Sequence, residues 1–235
     1  MIPKVIHYCW FGRGEKPKLA QKCIASWKKY CPDWQIIEWN EDNFDVNQYE
    51  YTKYMYANKK YAFLSDFVRL WVVYENGGIY FDTDVEVIKP LDEIVKNGAF
   101  VGFENDAFVN SGLGFGAEKE NKAIKLMLEE YNYFPNGFNA KIGPIGCPEL
   151  NTYGLLKCGL TQNGGFQKLE EITVYPKDYF NPYDNVINKL NITENTYTIH
   201  WYSGSWISRK QKIRTFLLRP IHRWFGKNIF NKNKE

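Results

Sequence analysis

The sequence predicts an α/β domain, and three observations carry that expectation. The chain opens on a β-branched and aromatic run, Val5-Ile6-His7-Tyr8-Cys9-Trp10-Phe11, closed by Gly12 and Gly14, as expected of a buried strand entering a loop. After Pro17, apolar side chains at Leu19, Cys23, Ile24, Trp27 and Tyr30 recur at helical spacing until Pro32, and Gln35 to Trp39 reads as a second strand. This strand-helix-strand order is typical of sheets that handle nucleotides, although many folds begin the same way. The third observation is size. At 235 residues, 44% apolar and 17% aromatic, the chain can bury one substantial core and falls short of two.

The remaining elements follow in order. Ala62 to Asn76 is apolar nearly all round, with Phe63, Leu64, Phe67, Val68, Leu70, Trp71, Val72 and Val73, and predicts a helix buried on several sides. Gly77-Gly78 stops it, Gly77 suiting the left-handed position past a helix end. Ile79 to Ile88 predicts a strand interrupted by Asp82-Thr83-Asp84, and Pro90 ends it. Ala99 to Glu104 and Phe108 to Phe115 predict further strands, Glu118 to Tyr133 an amphipathic surface helix, and Leu150 to Leu156 another helix. Short strands are expected near Ile172 to Tyr175 and Tyr197 to Trp201, with a Gly/Pro-rich stretch from 136 to 148 between the two helices.

Composition excludes several classes. The aromatic content rules out a disordered chain. No stretch approaches the ~18 to 20 consecutive apolar residues of a membrane span, and the first residues lack a leader pattern, so a cytoplasmic protein is expected. The five cysteines (Cys9, Cys23, Cys31, Cys147, Cys158) are odd in number and form no CxxC pair, which argues for reduced, buried thiols. Charge is uneven: residues 207–235 hold nine Lys+Arg and one acidic residue, a net of +8, while the first 206 residues sum to −5 (21 − 26). A basic tail on an acidic body points to an anionic surface rather than to nucleic acid. Within that tail Phe216, Leu217, Ile221, Trp224 and Phe225 recur at helical spacing with Arg214, Arg219, Arg223 and Lys227 on other faces, and Pro220 interrupts them. The pattern is that of a helix in a membrane interface, or of a helix packed on the body with solvated charges.

The chemistry concentrates in two short segments. Asp66 and Arg69, three apart on the apolar helix, share a face, and each needs the other or a ligand if buried. Asp82 and Asp84, two apart after Ile79-Tyr80-Phe81, point the same way if the backbone is extended. Two carboxylates so placed suit a hard cation such as Mg²⁺ or Mn²⁺, which could hold a diphosphate. A lone Asp-x-Asp is a weak signal; its weight comes from its neighbours. Trp10 reads as core or as a stacking platform, and His7 as a satisfied core histidine. Asn110, among apolar residues beside Gly112 and Gly114, suits a sugar contact. Gly143-Pro144 and Glu149 are candidates for an acceptor side.

Taken together, Ile2-Pro3-Lys4-Val5-Ile6-His7 ending in Trp10-Phe11-Gly12, Ser65-Asp66 with Arg69, Gly77-Gly78-Ile79-Tyr80-Phe81-Asp82-Thr83-Asp84, and His200-Trp201 with Gly204-Ser205-Trp206 resemble glycosyltransferase family 32, which is related to the glucosylating domains of large clostridial toxins. The resemblance runs from residue 2 to 206. It implies a GT-A fold, Rossmann-like with a mostly parallel central sheet flanked by helices, over residues 1–206, followed by the basic amphipathic tail 207–235. It further implies a retaining, metal-dependent transfer from a nucleotide sugar, UDP-linked, to a saccharide acceptor in bacterial surface polysaccharide synthesis. Carried over by position, Trp10 matches the aromatic that stacks on the nucleobase, and Asp66 and Arg69 the pair that meets donor sugar and phosphate. Asp84 matches the direct metal ligand, and Asp82 the carboxylate that meets the ribose or a metal-bound water. His200 falls where relatives place a metal or diphosphate ligand, and Ser205 and Trp206 where they place a lid on the donor. A lipid-linked acceptor at the inner face of the plasma membrane accords with the tail. Two readings from other classes stand beside this one: a carbohydrate-binding or scaffold protein without turnover, and a metal-dependent phosphohydrolase or nuclease using the same carboxylates.

Overall fold

A computed structural model of the chain describes residues 1–133 and 146–204, and the following statements concern those residues. In chain order the strands are β1 (Val5–Cys9), β2 (Gln35–Trp39), β3 (Gly78–Tyr80), β4 (Val85–Val87), β5 (Phe100–Gly102), β6 (Phe115–Ala117), β7 (Gln167–Lys168), β8 (Thr173–Tyr175), β9 (Tyr183–Asp184), β10 (Lys189–Leu190) and β11 (Thr198–His200). The helices are α1 (Lys18–Tyr30), α2 (Glu50–Ala57), α3 (Tyr61–Asn76), α4 (Asp92–Val95), α5 (Lys122–Glu129), α6 (Cys147–Leu156) and α7 (Lys177–Phe180).

A seven-stranded sheet in the order β2-β1-β3-β6-β5-β8-β7 forms the centre. The β1–β2, β1–β3 and β5–β8 pairs are parallel, while β6 runs against both β3 and β5, and β7 against β8. Five of the seven strands therefore share one direction, as the resemblance implies, with β6 and β7 reversed. Side chains alternate between two packed faces, as a strand sandwiched by helices requires. Ile6, Ile79 and Phe100 join a cluster with Trp27 of α1 and Phe180 of α7, whereas Tyr80 and Val101 join the cluster of α3, α5 and α6. Trp27 is fully buried, and its indole N–H donates to the Val85 carbonyl at 2.8 Å, tying α1 to β4.

The structure corrects several expectations. The segment from Ile79 to Ile88 is not one interrupted strand: β3 belongs to the central sheet, while β4 turns away to pair antiparallel with β11. Asp82 to Asp84 make the turn between them, closed by the Val85 N–H to the Asp82 carbonyl at 3.0 Å. From Phe108 to Phe115 only the isolated bridge Phe103↔Val109 and the start of β6 are extended, with a 3-10 turn over Ser111–Leu113 between. The cause is local, since Asn110 Oδ1 takes the Gly112 N–H at 2.6 Å and removes it from any ladder. α5 begins at Lys122 rather than Glu118 because Asn121 caps it, accepting from the Ala123 and Ile124 amides. α6 starts at Cys147 with Pro148 in its first turn, earlier than expected. The tail from 207 onward, and Ser205 and Trp206 with it, lie outside the described residues, as do Gly143 and Pro144.

Candidate active site

The carboxyl ends of the parallel strands β1 and β3 lead into the two loops that carry Trp10 and the Asp82–Asp84 turn, which is where open α/β sheets place their ligands. Helix α3 packs against this edge and sends Arg69 into it. Arg69 is 4% exposed, and one guanidinium nitrogen meets both Asp66 Oδ1 (2.8 Å) and Asp82 Oδ1 (2.9 Å). Its carbon sits 5.2 Å from the centre of the Tyr80 ring, and the Tyr80 hydroxyl donates to Asp82 Oδ1 at 3.0 Å. The buried guanidinium is compensated by these carboxylates, and without it both would be left buried and unpaired.

Asp84 is held by a different set. His200, from β11, lies with Nε2 3.1 Å from Asp84 Oδ1, the Ser203 N–H donates to Oδ2 at 2.7 Å, and the Trp201 N–H meets the Asp84 carbonyl at 3.0 Å. The two aspartates are thus not parallel on a strand end as the sequence suggested. The chain turns between them, and each like charge has recruited its own positive or N–H partner.

These partners set the protonation states. Burial pushes the Asp66 carboxyl up to about 7, against the pull of Arg69, with Asp82 repelling it further. Burial also raises Asp82, which Arg69 only partly offsets. For Asp84 burial acts upward too, but the adjoining His200 and the Ser203 amide outweigh it and hold the group well below the usual carboxylate range. His200 moves the other way: burial would lower it, and Asp84, Asp82 and Glu104 raise it above an ordinary histidine.

Asp82, Asp84 and His200 each offer one ligand atom, all within 4.8 Å of one another. Two carboxylate oxygens and an imidazole nitrogen form a donor set suited to Mn²⁺ or Mg²⁺. Charge argues likewise. His200 ligates only in its neutral form, and the carboxylates of Asp66, Asp82 and Asp84 then outnumber the one guanidinium, that of Arg69, beside them. Nδ1 of His200 is buried with no hydrogen-bond partner among the described residues. The residues present fit a divalent cation.

Asn110 joins the same cluster. Its turn brings Gly112 so close that a Cβ there would lie 2.5 Å from Asp82 Oδ2 and 3.0 Å from an Arg69 guanidinium nitrogen; only glycine permits that approach. Trp10 is half-buried just past β1 and packs against the cluster that holds Trp27; its indole N–H donates to the Gly14 carbonyl at 2.6 Å, and Lys16 Nζ is 5.6 Å from its ring centre. His7 is a core histidine, bonded to the Gly77 carbonyl and to Trp39. Glu149 stands in the first turn of α6.

Several site residues carried no signal in the sequence. Cys147 opens α6 with its Sγ 3.4 Å from Arg69, 3.3 Å from Ser111 Oγ and 3.1 Å from Asn151 Oδ1. Burial and the nearby Asp66 raise its thiol to about 12, so it packs as a neutral group. Glu104, Tyr202 and the Ser203 amide were likewise invisible, because their partners lie from 6 to 119 residues away along the chain.

Residues 17–101 match the family described as the glycosyltransferase sugar-binding region containing DXD motif. Inositol phosphoceramide mannosyltransferase 1 of Schizosaccharomyces pombe is 27% identical over 125 residues, covering 46% of this chain and 38% of that protein. Inositol phosphoceramide mannosyltransferase 3 of the same yeast is 28% identical over 123 residues, covering 48% and 33%. The chain thus aligns with about a third of the length of either relative. A glycosyltransferase involved in glycosylation of the major capsid of PBCV-1 superposes with a TM-score of 0.50 at 13% identity, over 90% of this chain and 98% of that one, a likeness of fold alone. The PaToxG glycosyltransferase superposes with a TM-score of 0.49 at 19% identity, over 66% and 69%.

Proposed function

From a chain that carries the DXD glycosyltransferase sugar-binding region, we propose a metal-dependent, retaining transferase that moves a sugar from a UDP-linked donor to a saccharide acceptor. The observation that carries it is the Asp82–Asp84–His200 triad beside the Asp66–Arg69 pair, a polar cluster short of positive charge at the carboxyl edge of the sheet. Asp84 and His200 would hold the cation, with Asp82 toward the ribose or a metal-bound water. When bound, the ion supplies Lewis-acid stabilisation of a departing diphosphate.

The chain's own groups do the rest. Arg69 is fixed by two carboxylates and supplies positive charge that need not reorganise as the phosphate gains charge. On this reading Asp66 and Asn110 would meet the sugar hydroxyls, and Trp10 the base. In a front-face displacement the anomeric C–O bond to phosphate breaks as the acceptor oxygen bonds to the same carbon. The acceptor's proton passes to the departing phosphate oxygen, so no protein base is required. An adduct trapped on Asp66 would overturn this route. Ser205 and Trp206 are assigned the lid, and the basic tail a peripheral site at the inner face of the plasma membrane. The names of the yeast relatives, mannosyltransferases of an inositol phosphoceramide, favour a lipid-carried acceptor. We place the activity in bacterial surface polysaccharide synthesis.

The test is donor hydrolysis across UDP- and GDP-sugars with Mn²⁺ or Mg²⁺, scored for free sugar and nucleoside diphosphate. Excess chelator should abolish it, and Asp84→Ala should cost on the order of a hundredfold or more without unfolding the protein. Inorganic phosphate or cleaved nucleic acid as product would establish the hydrolase reading instead, and binding without turnover the scaffold reading.

A further inference from the structure

Glu104 follows β5 at the carboxyl edge of the sheet, and three separate stretches of chain converge on it. Its backbone N–H donates to the Phe108 carbonyl at 2.8 Å, and Asn181 Nδ2 donates to its carbonyl at 3.0 Å. Its side chain accepts from Asn110 Nδ2 at 3.1 Å, and the Tyr202 hydroxyl approaches its other oxygen at 3.4 Å.

The Asn110 amide is therefore held at both ends, since its Oδ1 takes the Gly112 N–H at 2.6 Å. Turning that amide over would set donor against donor at Gly112 and acceptor against acceptor at Glu104. Glu104 thereby decides which end of Asn110 faces the turn that lies on Asp82 and Arg69. Across the site, the Tyr202 ring packs edge-on to His200 with centres 4.2 Å apart, and Tyr202 adopts φ 49°. That conformation is uncommon for a non-glycine residue.

We propose that Glu104 is a positioning residue: through Asn110 it sets the turn over Asp82 and Arg69, and through Tyr202 it joins that turn to the strand end carrying His200. The donor sugar then meets one preset wall rather than two loops that move separately. Glu104 touches no reacting atom. The inference rests on the transferase reading above and deepens it.

The experiment is a mutant cycle on metal-dependent donor hydrolysis, with kcat and KM read separately and thermal unfolding measured alongside. Glu104→Ala should lower kcat about tenfold or more with a smaller change in KM, the loss expected when a charge-assisted contact that orders the site disappears. Glu104→Gln should recover most of that, because its oxygen still accepts from Asn110 and its amide can donate to the Tyr202 oxygen. The double variant Glu104→Ala/Asn110→Ala should be no worse than Asn110→Ala within about twofold, and Tyr202→Phe should have little effect once Glu104 is gone. If Glu104→Ala does not fold, Glu104→Asp, one methylene shorter at the same charge, takes its place in the cycle. Additive losses, wild-type turnover in Glu104→Ala, or a Glu104→Gln as impaired as the alanine variant would overturn the role of Glu104 alone. A wild-type protein that hydrolyses none of the nucleotide sugars would overturn the transferase reading and this inference with it.

Discussion

Arg69 and His7 show what a buried ionisable side chain demands of its surroundings. Arg69 keeps its charge because Asp66 and Asp82 both reach it, whereas His7 gives its charge up. Trp39 donates to His7 Nδ1 at 3.0 Å, so Nε2 carries the proton and donates to the Gly77 carbonyl at 2.9 Å. A second proton at Nδ1 would face the Trp39 N–H, and burial lowers the group to about 4. Between about pH 6.5 and 4 the unfolded chain then binds a proton that the folded chain does not, so stability falls as pH falls through that window. The loss approaches about 3 kcal/mol, from roughly 2.5 units at 1.36 kcal/mol each. Urea titrations across this range should show His7→Gln with a flatter dependence on pH; an unchanged slope would refute the assignment. The Asp66–Arg69 pairing was readable from spacing along a helix, since an i,i+3 pair on an apolar face must meet. That Asp82 shares the same guanidinium was not, because nothing local links residues 69 and 82.

Elements with a strong local signal were legible nearly to the residue. β2 and the body of α3 follow from β-branched content and an unbroken apolar surface, and Gly77 does end α3, with φ 69°. α5 shows how one side chain moves a boundary. Asn121 is 3% exposed, accepts from the first-turn amides, and donates to Glu118 and to the Glu171 carbonyl. Asn121→Ala should lower unfolding free energy by about 2 kcal/mol, the loss of a cap plus buried partners, and Asn121→Asp should restore part of it. Denaturant midpoints decide this; a neutral alanine variant would show that the cap carries no weight. The strand expected over Phe108 to Phe115 failed for the same kind of reason, because Asn110 bonds its own turn more readily than a flat ladder would allow.

Across the whole molecule, the central sheet separates two packed clusters and leaves one edge where β1, β3 and the β4–β11 ribbon bring their ends together. His200 reaches Asp84 only because β11 pairs with β4 in the register His200↔Val85. No described helix is long and apolar enough to cross a membrane. The +8 tail is the remaining large-scale feature of the sequence, and an anionic surface is the partner proposed for it. Deleting residues 208–235 should abolish sedimentation with phosphatidylglycerol vesicles while leaving donor hydrolysis unchanged; undiminished sedimentation would remove the tail from that role.

Hydrophobic period, glycine punctuation and the order of short polar blocks are properties of neighbouring residues, and they alone determined the α/β class, most elements and the candidacy of Asp66, Asp82 and Asp84. The joining of Arg69 to Asp82, of His200 to Asp84, and of Glu104 to Asn110 and Tyr202 was decided by the tertiary structure. His200–Asp84 and Glu104–Tyr202 join residues far apart in the chain, and only the buried, low-dielectric edge of the sheet makes such pairing obligatory.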